Sequence, residues 1–171
     1  IDDILNLSRI IRTDIKIRTV DLSELVRSIE KELRKTFPER KIDFLIAPDV
    51  TVNGDPHLLQ IALYNLIENA WKYTSKKDQA RIEFGIQRKA DKVIYYVHDD
   101  GTGFNMSFVD KLFIPFQRLH SIGEFPGTGI GLALVQRIVH KHHGKIWAEG
   151  AIDQGATFYF TLFEDDRPEA L

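Results

Sequence analysis

The sequence predicts an α+β fold, a two-layer sandwich in which helices cover one face of a mixed, mostly antiparallel sheet. Segments with helical spacing and segments with strand-like alternation follow one another in a mixed order, neither strictly alternating nor separated into blocks. Two long strand-like segments, 80–88 and 92–98, are joined by a short polar turn and predict an antiparallel hairpin. The 171 residues suffice for one domain with one core.

The N-terminal residues 1–13 carry apolar side chains at helical spacing and predict a helix. A lone helix of this length is marginal in water, and the chain opens on Ile1, rather than Met, within the apolar pattern. We therefore expect an excised piece of a longer protein, whose helix continues upstream and packs on a partner. The alternative is a frayed N-terminal arm.

Two later helices have clear start signals. Asp21 and Glu24 form a capping box for a helix that ends before Pro38. Asp55 supplies an N-cap carboxylate, followed by a proline at the first helical position, for a helix that runs to about Tyr73. The other expected elements are strands at 15–22, 41–47, 51–53, 145–149 and 156–163, the hairpin above, and a helix over 130–143 behind a glycine-rich stretch at 101–131.

Composition narrows the function classes. The net charge of −2, from 23 basic and 25 acidic residues, does not indicate a nucleic-acid-binding protein. The absence of cysteine excludes disulfides and thiolate metal sites. It fits a reducing compartment, and we expect a cytoplasmic domain. No apolar run approaches the ~20 residues of a membrane-spanning helix, although a longer parent protein could be soluble or anchored.

A polar stripe on the third helix is the first candidate site. Asn65, Glu68, Asn69 and Lys72 are spaced i, i+3, i+4 and i+7, which places them on one helical face. Oxygen ligands beside one cation suit a hydrated Mg²⁺ with its phosphates. A solvated helix face is the alternative, although asparagine is a mediocre helix former.

Two glycine-containing motifs could accommodate a nucleotide. In Asp99-Asp100-Gly101-Thr102-Gly103, a carboxylate at a strand end could accept a hydrogen bond from a purine amino group, and glycines let a flat ring approach the backbone. The alternative is an ordinary tight turn. The second motif is Gly127-Thr128-Gly129-Ile130-Gly131-Leu132, whose amides at a helix N-terminus could bind anions. It matches neither a P-loop nor a dinucleotide-binding motif.

The segment Phe113-Ile114-Pro115-Phe116-Gln117-Arg118 lies between the two glycine clusters. Its two phenylalanines could anchor a segment that moves on flanking glycines, as a lid over a phosphate site requires. Arg118 could then reach phosphate oxygens. The alternative is a hydrophobic corner packed on the core.

The histidines receive plainer interpretations. Strand alternation points His98 away from the face used by Asp99. His140, His142 and His143 cluster before Gly144, where cationic groups complement a helix C-terminus. We do not expect a metal site there.

The order and spacing of these motifs resemble the catalytic domain of sensor histidine kinases, in the GHKL superfamily that also contains type II topoisomerases, mismatch-repair ATPases and ninety-kilodalton heat-shock chaperones. The resemblance covers residues from about 15 to 163. The segments RLH, VQRIVHKHHGKIWAEG and DQGATFYFTL look similar to the branch containing phytochrome-type kinases. The resemblance implies a Bergerat-type ATP-binding fold over 14–164, a C-terminal tail over 165–171, and, in 1–13, the end of the second helix of a dimerisation hairpin.

The resemblance also implies roles for individual residues. Asn65 and Asn69 would hold Mg²⁺, and Glu68 would orient water or the acceptor. Lys72 and Arg118 would contact phosphate. The residues expected to bind ATP are Tyr73, Asp99, Gly101, Gly103, Gly127, Thr128, Gly129, Gly131, Leu132 and Thr157.

The expected reaction is transfer of the ATP γ-phosphoryl group to a histidine on a separate dimerisation hairpin, for relay to a response regulator. The phosphoacceptor motif of the family is absent, so we expect a monomeric piece of a homodimeric parent, with little self-phosphorylation. Asp100 also departs from the family, which usually has asparagine there, and puts that residue's role in doubt. The alternatives are a GHKL-type ATPase that uses ATP for conformational change and a degenerate nucleotide-binding interaction module.

Overall fold

A computed structural model describes residues 2–121 and 123–163 and confirms the predicted two-layer α+β architecture. Its helices are α1 (Asp2–Arg12), α2 (Leu22–Thr36), α3 (Pro56–Tyr73) and α4 (Gly131–Lys141), with a short 3-10 helix at Met106–Lys111. Its strands are β1 (Arg18–Asp21), β2 (Ile42–Ile46), β3 (Thr51–Gly54), β4 (Ala80–Lys89), β5 (Lys92–Asp99), β6 (Ile146–Gly150) and β7 (Ala156–Phe160).

The main sheet has five strands in the order β2-β4-β5-β7-β6. Strand β2 runs parallel to β4, and all other neighbours are antiparallel. Strands β1 and β3 form a separate two-stranded sheet. Side chains alternate across the main sheet, so that Ala156, Phe158 and Phe160 of β7 are buried in the core, whereas the side chains between them face outwards.

Helix α3 lies at the centre of the helical layer. Asp55 caps it as predicted, because its carboxylate accepts hydrogen bonds from the N–H groups of His57 and Leu58. Seven apolar positions of α3 are buried: Leu58, Leu59, Ala62, Leu63, Leu66, Ile67 and Ala70. The polar stripe of Asn65, Glu68, Asn69 and Lys72 lies outside this buried set.

Strand β1 is shorter than predicted. The apolar alternation suggested a strand over 15–22, but pairing with β3 begins at Arg18. Ile17 is exposed, and only Val20 of the alternating residues is fully buried. The strand is short because its partner strand, β3, has only four residues, from Thr51 to Gly54.

Helix α1 packs on the domain with one face. Ile10 is buried, and the Lys141 ammonium of α4 donates to the carbonyl of Thr13, just beyond α1. On the other face Ile4, Leu5 and Ile11 are about half exposed. Within the residues described, no helix has the length and apolarity to cross a bilayer. The predicted tail at 165–171 lies outside these residues.

His142 joins the end of α4 to the start of α3. Its ring is fully buried, and Nδ1–H donates to the carbonyl of Ile138 at 2.8 Å. Nε2 accepts a hydrogen bond from the backbone N–H of Asp55 at 2.9 Å. Only a neutral ring with its proton on Nδ1 fits both contacts, and burial lowers the pKa of His142.

The burial of His142 predicts acid sensitivity. The unfolded ring takes up a proton near pH 6.5, whereas the folded ring resists it, so stability is complete above that pH and falls as the pH drops towards the folded pKa. His142→Leu leaves the Asp55 N–H unpaired and should lower the free energy of unfolding by about 1–3 kcal/mol at pH 8.

Urea unfolding across pH 5–8 checks this prediction. The difference between the parent chain and His142→Leu should shrink below pH 6.5, since leucine does not titrate. His140→Leu, on the exposed side of α4, is the matched control. A constant difference at every pH would contradict the assignment.

Candidate functional site

A cavity of about 610 Å³ lies between helix α3, the start of α4, the end of β5 and a loop of residues 113–121 and 123–127, which we call the lid loop. Most of the predicted site residues line it: Asn65, Glu68, Asn69, Lys72, Tyr73, Asp99, Gly103, Arg118, Gly127, Thr128, Gly129, Gly131 and Leu132. Gly101 and Thr157 are not in the lining. Residues from four distant parts of the chain therefore meet in one place.

The polar stripe of α3 faces the glycine motif. The Nδ2 of Asn65 donates to the carbonyl of Ile61 at 2.8 Å, which fixes the side-chain amide. Its Oδ1 is thereby directed at Gly131, where even an added Cβ would approach it to 2.8 Å. Asn69 lies one turn further along the same cavity wall. The stripe thus presents amide oxygens, which are ligands that Mg²⁺ accepts.

Glu68 and Lys72 are one helical turn apart and form a charged pair at the cavity wall. Part of Glu68 is exposed, but the surrounding protein excludes enough water to raise the pKa of its carboxyl, an effect that Lys72 opposes and Asp3 of α1 reinforces. Burial likewise lowers the pKa of Lys72. The Lys72 ammonium is directed towards Gly127, at which an added Cβ would lie 3.0 Å away.

Asp99 is the most deeply buried carboxyl of the site. Only 4% of it is exposed, and its Oδ1 accepts a hydrogen bond from the N–H of Gly101 at 2.9 Å. Burial raises the pKa of Asp99 to about 7, an effect that the hydrogen bond from Gly101 partly offsets. Asp99 can therefore gain or lose a proton near neutral pH.

The Asp100 side chain does not line the cavity, although its charge adds to the effect of burial in raising the pKa of Asp99. Its carboxylate accepts from the Lys77 ammonium at 2.8 Å and from the N–H of Arg81 at 3.0 Å. These partners lower the pKa of Asp100 despite some burial. Asp100, which stands where the family usually has asparagine, is thus paired with a lysine outside the cavity.

The glycines near Asp99 are required by close packing. A side chain at Gly101 would collide with the carbonyl of Tyr73, and one at Gly103 with the carbonyl of Ala151. Gly103 also has a φ of +58°, which favours glycine. Gly101 does not line the cavity, but it packs against two residues that do, Tyr73 and Asp99.

The structure corrects the prediction for Thr157. Its hydroxyl is hydrogen-bonded to Nδ1 of His98 at 2.8 Å, on the outer face of the sheet where alternation placed His98. Ala156 pairs with Asp99 across β5 and β7 and lines the cavity instead. Alternation along β7 turns Ala156 and Phe158 inwards and Thr157 outwards, so Thr157 shares a face with neither of them.

The two phenylalanines of the lid loop behave differently. Phe113 packs edge-on against Phe158, with ring centroids 6.4 Å apart, as an anchor should. Phe116 is 65% exposed, so the expectation that both rings anchor the loop is wrong. The Phe116 N–H donates to the carbonyl of Gly129 at 3.1 Å, which ties the lid loop to the glycine motif through the backbone.

The glycine motif leads into α4 without a side-chain cap. Helix α4 starts at Gly131, and Ile130 at the N-cap offers no side-chain hydrogen bond to the first turn. The first amides of a helix have no intrahelical partner, so these N–H groups can bind an anion. Gly127 and Gly129 have φ values of 149° and 79°, a backbone conformation open mainly to glycine.

Several cavity residues were missed by sequence reasoning. Phe125 is almost fully buried, packs edge-on against Tyr73, and lies two residues before the glycine motif. The Arg118 guanidinium donates to the carbonyls of Phe125 and Gly127. Asp3 of α1 also lines the cavity, and its carboxylate accepts from the Thr128 hydroxyl at 3.0 Å. The E-F-P-G sequence was the only available signal for Phe125, and nothing in the sequence linked Asp3 to the site.

Among the described residues, no three His, Cys, Asp or Glu side chains cluster as a metal site would require. The arrangement on α3 differs, because amide oxygens and a helix N-terminus suit a hydrated cation that is carried by phosphates. The residues present therefore fit Mg²⁺ only in company with a nucleotide.

Comparison with known proteins adds an independent line of evidence. Residues 54–166 match the family model described as histidine kinase-, DNA gyrase B- and HSP90-like ATPase. Cyanobacterial phytochrome A of Nostoc sp. strain PCC 7120 is 37% identical over 166 residues, which make up 95% of this chain and 21% of that protein. Adaptive-response sensory kinase SasA of Synechococcus sp. strain JA-3-3Ab is 34% identical, over 95% of this chain and 44% of the kinase.

Solved structures show the same fold. The catalytic domain of histidine kinase ThkA in a nucleotide-free form superimposes with a TM-score of 0.70 at 26% identity, over 86% of this chain and 95% of that one. Full-length ShkA in complex with AMPPNP gives a TM-score of 0.75 at 24% identity, over 94% of this chain and 34% of that one. The chain thus corresponds to most of a catalytic domain but to less than half of the curated relatives above.

Proposed function

Because the chain belongs to the family of histidine kinase-, DNA gyrase B- and HSP90-like ATPases, we propose that it binds Mg²⁺·ATP in this cavity and transfers the γ-phosphoryl group to a histidine on a separate dimerisation hairpin. The observation that carries the proposal is that Asn69, Asp99 and Gly129 line the same cavity. The phytochrome and sensory kinase relatives support a role in signalling. A relative solved with AMPPNP supports the choice of nucleotide.

The two ends of the cavity suggest how ATP would lie. Asp99 would accept the adenine amino group at the buried end, with Tyr73 beside the base or ribose. The phosphates would meet the uncapped amides at the start of α4. Lys72, whose ammonium is directed at Gly127, would contact phosphate oxygens.

The phosphate end would supply the catalytic charge. Phosphoryl transfer has a loose transition state, so positioning and charge neutralisation dominate catalysis. Asn65 and Asn69 would hold Mg²⁺, which neutralises phosphate charge when bound. Lys72 and Arg118 would add positive charge, and Glu68 would orient the acceptor. The bond from the γ-phosphorus to its bridging oxygen breaks as a bond to an imidazole nitrogen forms, and ADP leaves.

The parent protein would be a cytoplasmic homodimer whose hairpin includes α1, and which passes its phosphate to a response regulator. The exposed Ile4, Leu5 and Ile11 on the outer face of α1 are consistent with a partner helix there. Two other functions remain as alternatives: a GHKL-type ATPase in which Glu68 activates water, and a nucleotide-binding module without catalysis.

Calorimetry and radiolabelling together test the proposal. The chain should bind Mg²⁺·ATP, incorporate little phosphate by itself, and place acid-labile 32P on an added sensor-kinase hairpin. An absence of Mg²⁺·ATP binding would overturn the proposal and favour the interaction module. Fast multi-turnover hydrolysis without any hairpin would favour the ATPase.

A further inference from the structure

His120 of the lid loop contacts two fixed parts of the nucleotide cavity. Its Nε2 lies 3.0 Å from the carbonyl oxygen of Gly103. Since a carbonyl can only accept, Nε2 carries the proton in this contact. The ring also packs against Tyr73, at a centroid distance of 5.2 Å, and against Phe125, at 5.3 Å.

These contacts join three separate segments of chain. Tyr73 belongs to the end of α3, Gly103 to the loop after β5, and Phe125 to the lid loop itself. Tyr73 and Phe125 also pack on each other, with centroids 4.9 Å apart, so the three rings form one closed cluster. Gly103 is itself closely packed, because a substituent there would collide with the carbonyl of Ala151.

Arg118 precedes His120 by two residues in the lid loop, so the contacts of His120 also restrict where Arg118 lies. Its guanidinium donates to the carbonyls of Phe125 and Gly127, and no carboxylate among the described residues forms an ion pair with it. The arginine is therefore held over the phosphate end by the path of the lid loop. Neutral carbonyls are weaker partners for a guanidinium than phosphate oxygens.

We propose that His120 is a positioning residue for ATP binding. Its side chain anchors the lid loop to Gly103 and Tyr73. In this position of the loop, Arg118 can exchange its carbonyl partners for phosphate oxygens. This inference rests on the proposed function. His120 acts through Arg118 and touches no reacting atom. Its effect should accordingly appear with ligands that carry phosphates and be small with those that lack them.

A comparison of ATP with adenosine tests the proposal by calorimetry. His120→Ala should weaken ATP binding about 3- to 10-fold, as expected for a lost hydrogen bond, and adenosine binding by less than about 2-fold. The double variant with Arg118→Ala should bind ATP no more weakly than Arg118→Ala alone, because the two residues act as one unit. His140→Ala, which changes an exposed histidine of α4, is the control.

Two further variants separate the hydrogen bond from the ring. His120→Gln keeps an N–H donor and should retain more ATP affinity than His120→Phe, which keeps only the aromatic contact. Limited trypsin digestion without ligand gives a second readout. Cleavage after Arg118 should be slow in the parent chain and faster in His120→Ala, with other sites unchanged.

Three outcomes would overturn the assignment. His120→Ala could leave ATP affinity and trypsin cleavage unchanged, it could add fully to Arg118→Ala, or it could weaken adenosine and ATP equally. The last result would give His120 a purely structural role at the base end. If the parent chain binds adenosine and ATP, any of these outcomes contradicts only the role of His120 and leaves the proposed function intact. If the parent chain binds no ATP, both the role of His120 and the proposed function are contradicted.

Discussion

Asp99→Asn is expected to weaken adenosine and ATP binding by about 10- to 100-fold, the range for losing a hydrogen bond to a charged group. Asp99 is buried at the end of the cavity that we propose receives the base, and its Oδ1 is already fixed by the N–H of Gly101. The backbone of Ala156 also donates to this carboxyl, and we expect the acceptor capacity that remains to receive the adenine amino group. Asparagine replaces part of that capacity with an N–H group, which would face the adenine amino group donor to donor.

The pKa of about 7 adds a pH dependence with a definite sign. The ionised carboxylate is the better acceptor, so adenosine affinity should fall as the pH drops through 7, by up to about 10-fold per unit if only the ionised form binds. Adenosine is the proper ligand because it has no phosphate that titrates in this range. The Asp99→Asn variant should show no such dependence.

The same burial predicts an opposite effect on stability. In the folded state Asp99 keeps its proton up to about pH 7. In the unfolded state the carboxyl has its ordinary pKa of 3.8 and has already released the proton. Stability is therefore lost as the pH rises towards 7, by up to about 4 kcal/mol in the limit of the full shift. Asp99→Asn should make the ligand-free chain more stable at pH 8, as measured by urea unfolding.

Asp100→Asn is the matched control, since its carboxylate is paired with Lys77 outside the cavity. It should leave adenosine affinity within about 2-fold, because the exposed pair contributes little. If Asp99→Asn and Asp100→Asn had equal effects on adenosine binding, Asp99 could not be the residue that recognises the base.

The sequence predicted the parts of this fold in which local signals and burial agree. The caps at Asp21 and Asp55 are examples, because helix starts follow from nearby residues. Strand β1 was overextended because alternation does not report how long a partner strand is. Spacing placed Asn65, Glu68, Asn69 and Lys72 on one face, and the structure adds which cavity that face borders.

The site residues that escaped prediction depend on contacts between distant segments. Asp3 reaches Thr128 only through the packing of α1 beside α4. Phe116 was expected to be an anchor, but its backbone makes the useful contact while its ring remains exposed. Such features are properties of tertiary geometry and leave no local trace in a single sequence.

Asn69→Ala is expected to reduce phosphoryl transfer to a hairpin histidine by 100-fold or more while leaving adenosine affinity within about 2-fold. Even outer-sphere partners of a metal typically contribute 10- to 100-fold, and a direct ligand should contribute at least as much. Asn69 lies one turn from Asn65, whose oxygen is directed at Gly131, and lines the same cavity wall, which we propose receives the phosphates. A change there should separate chemistry from base recognition.

The measurement pairs 32P transfer with a titration of Mn²⁺, a cation of similar ligand preference, in the presence of ATP. The Asn69→Ala variant should lose the ATP-dependent Mn²⁺ signal in electron paramagnetic resonance, whereas Asn53→Ala on exposed β3 should keep both that signal and transfer. Full transfer activity in Asn69→Ala would remove this amide from the metal site. Loss of adenosine binding would instead make it a structural support for the base end. Retention of base binding with loss of metal and transfer is the only combination that assigns Asn69 to the phosphates, because the two ends of the cavity are served by different residues.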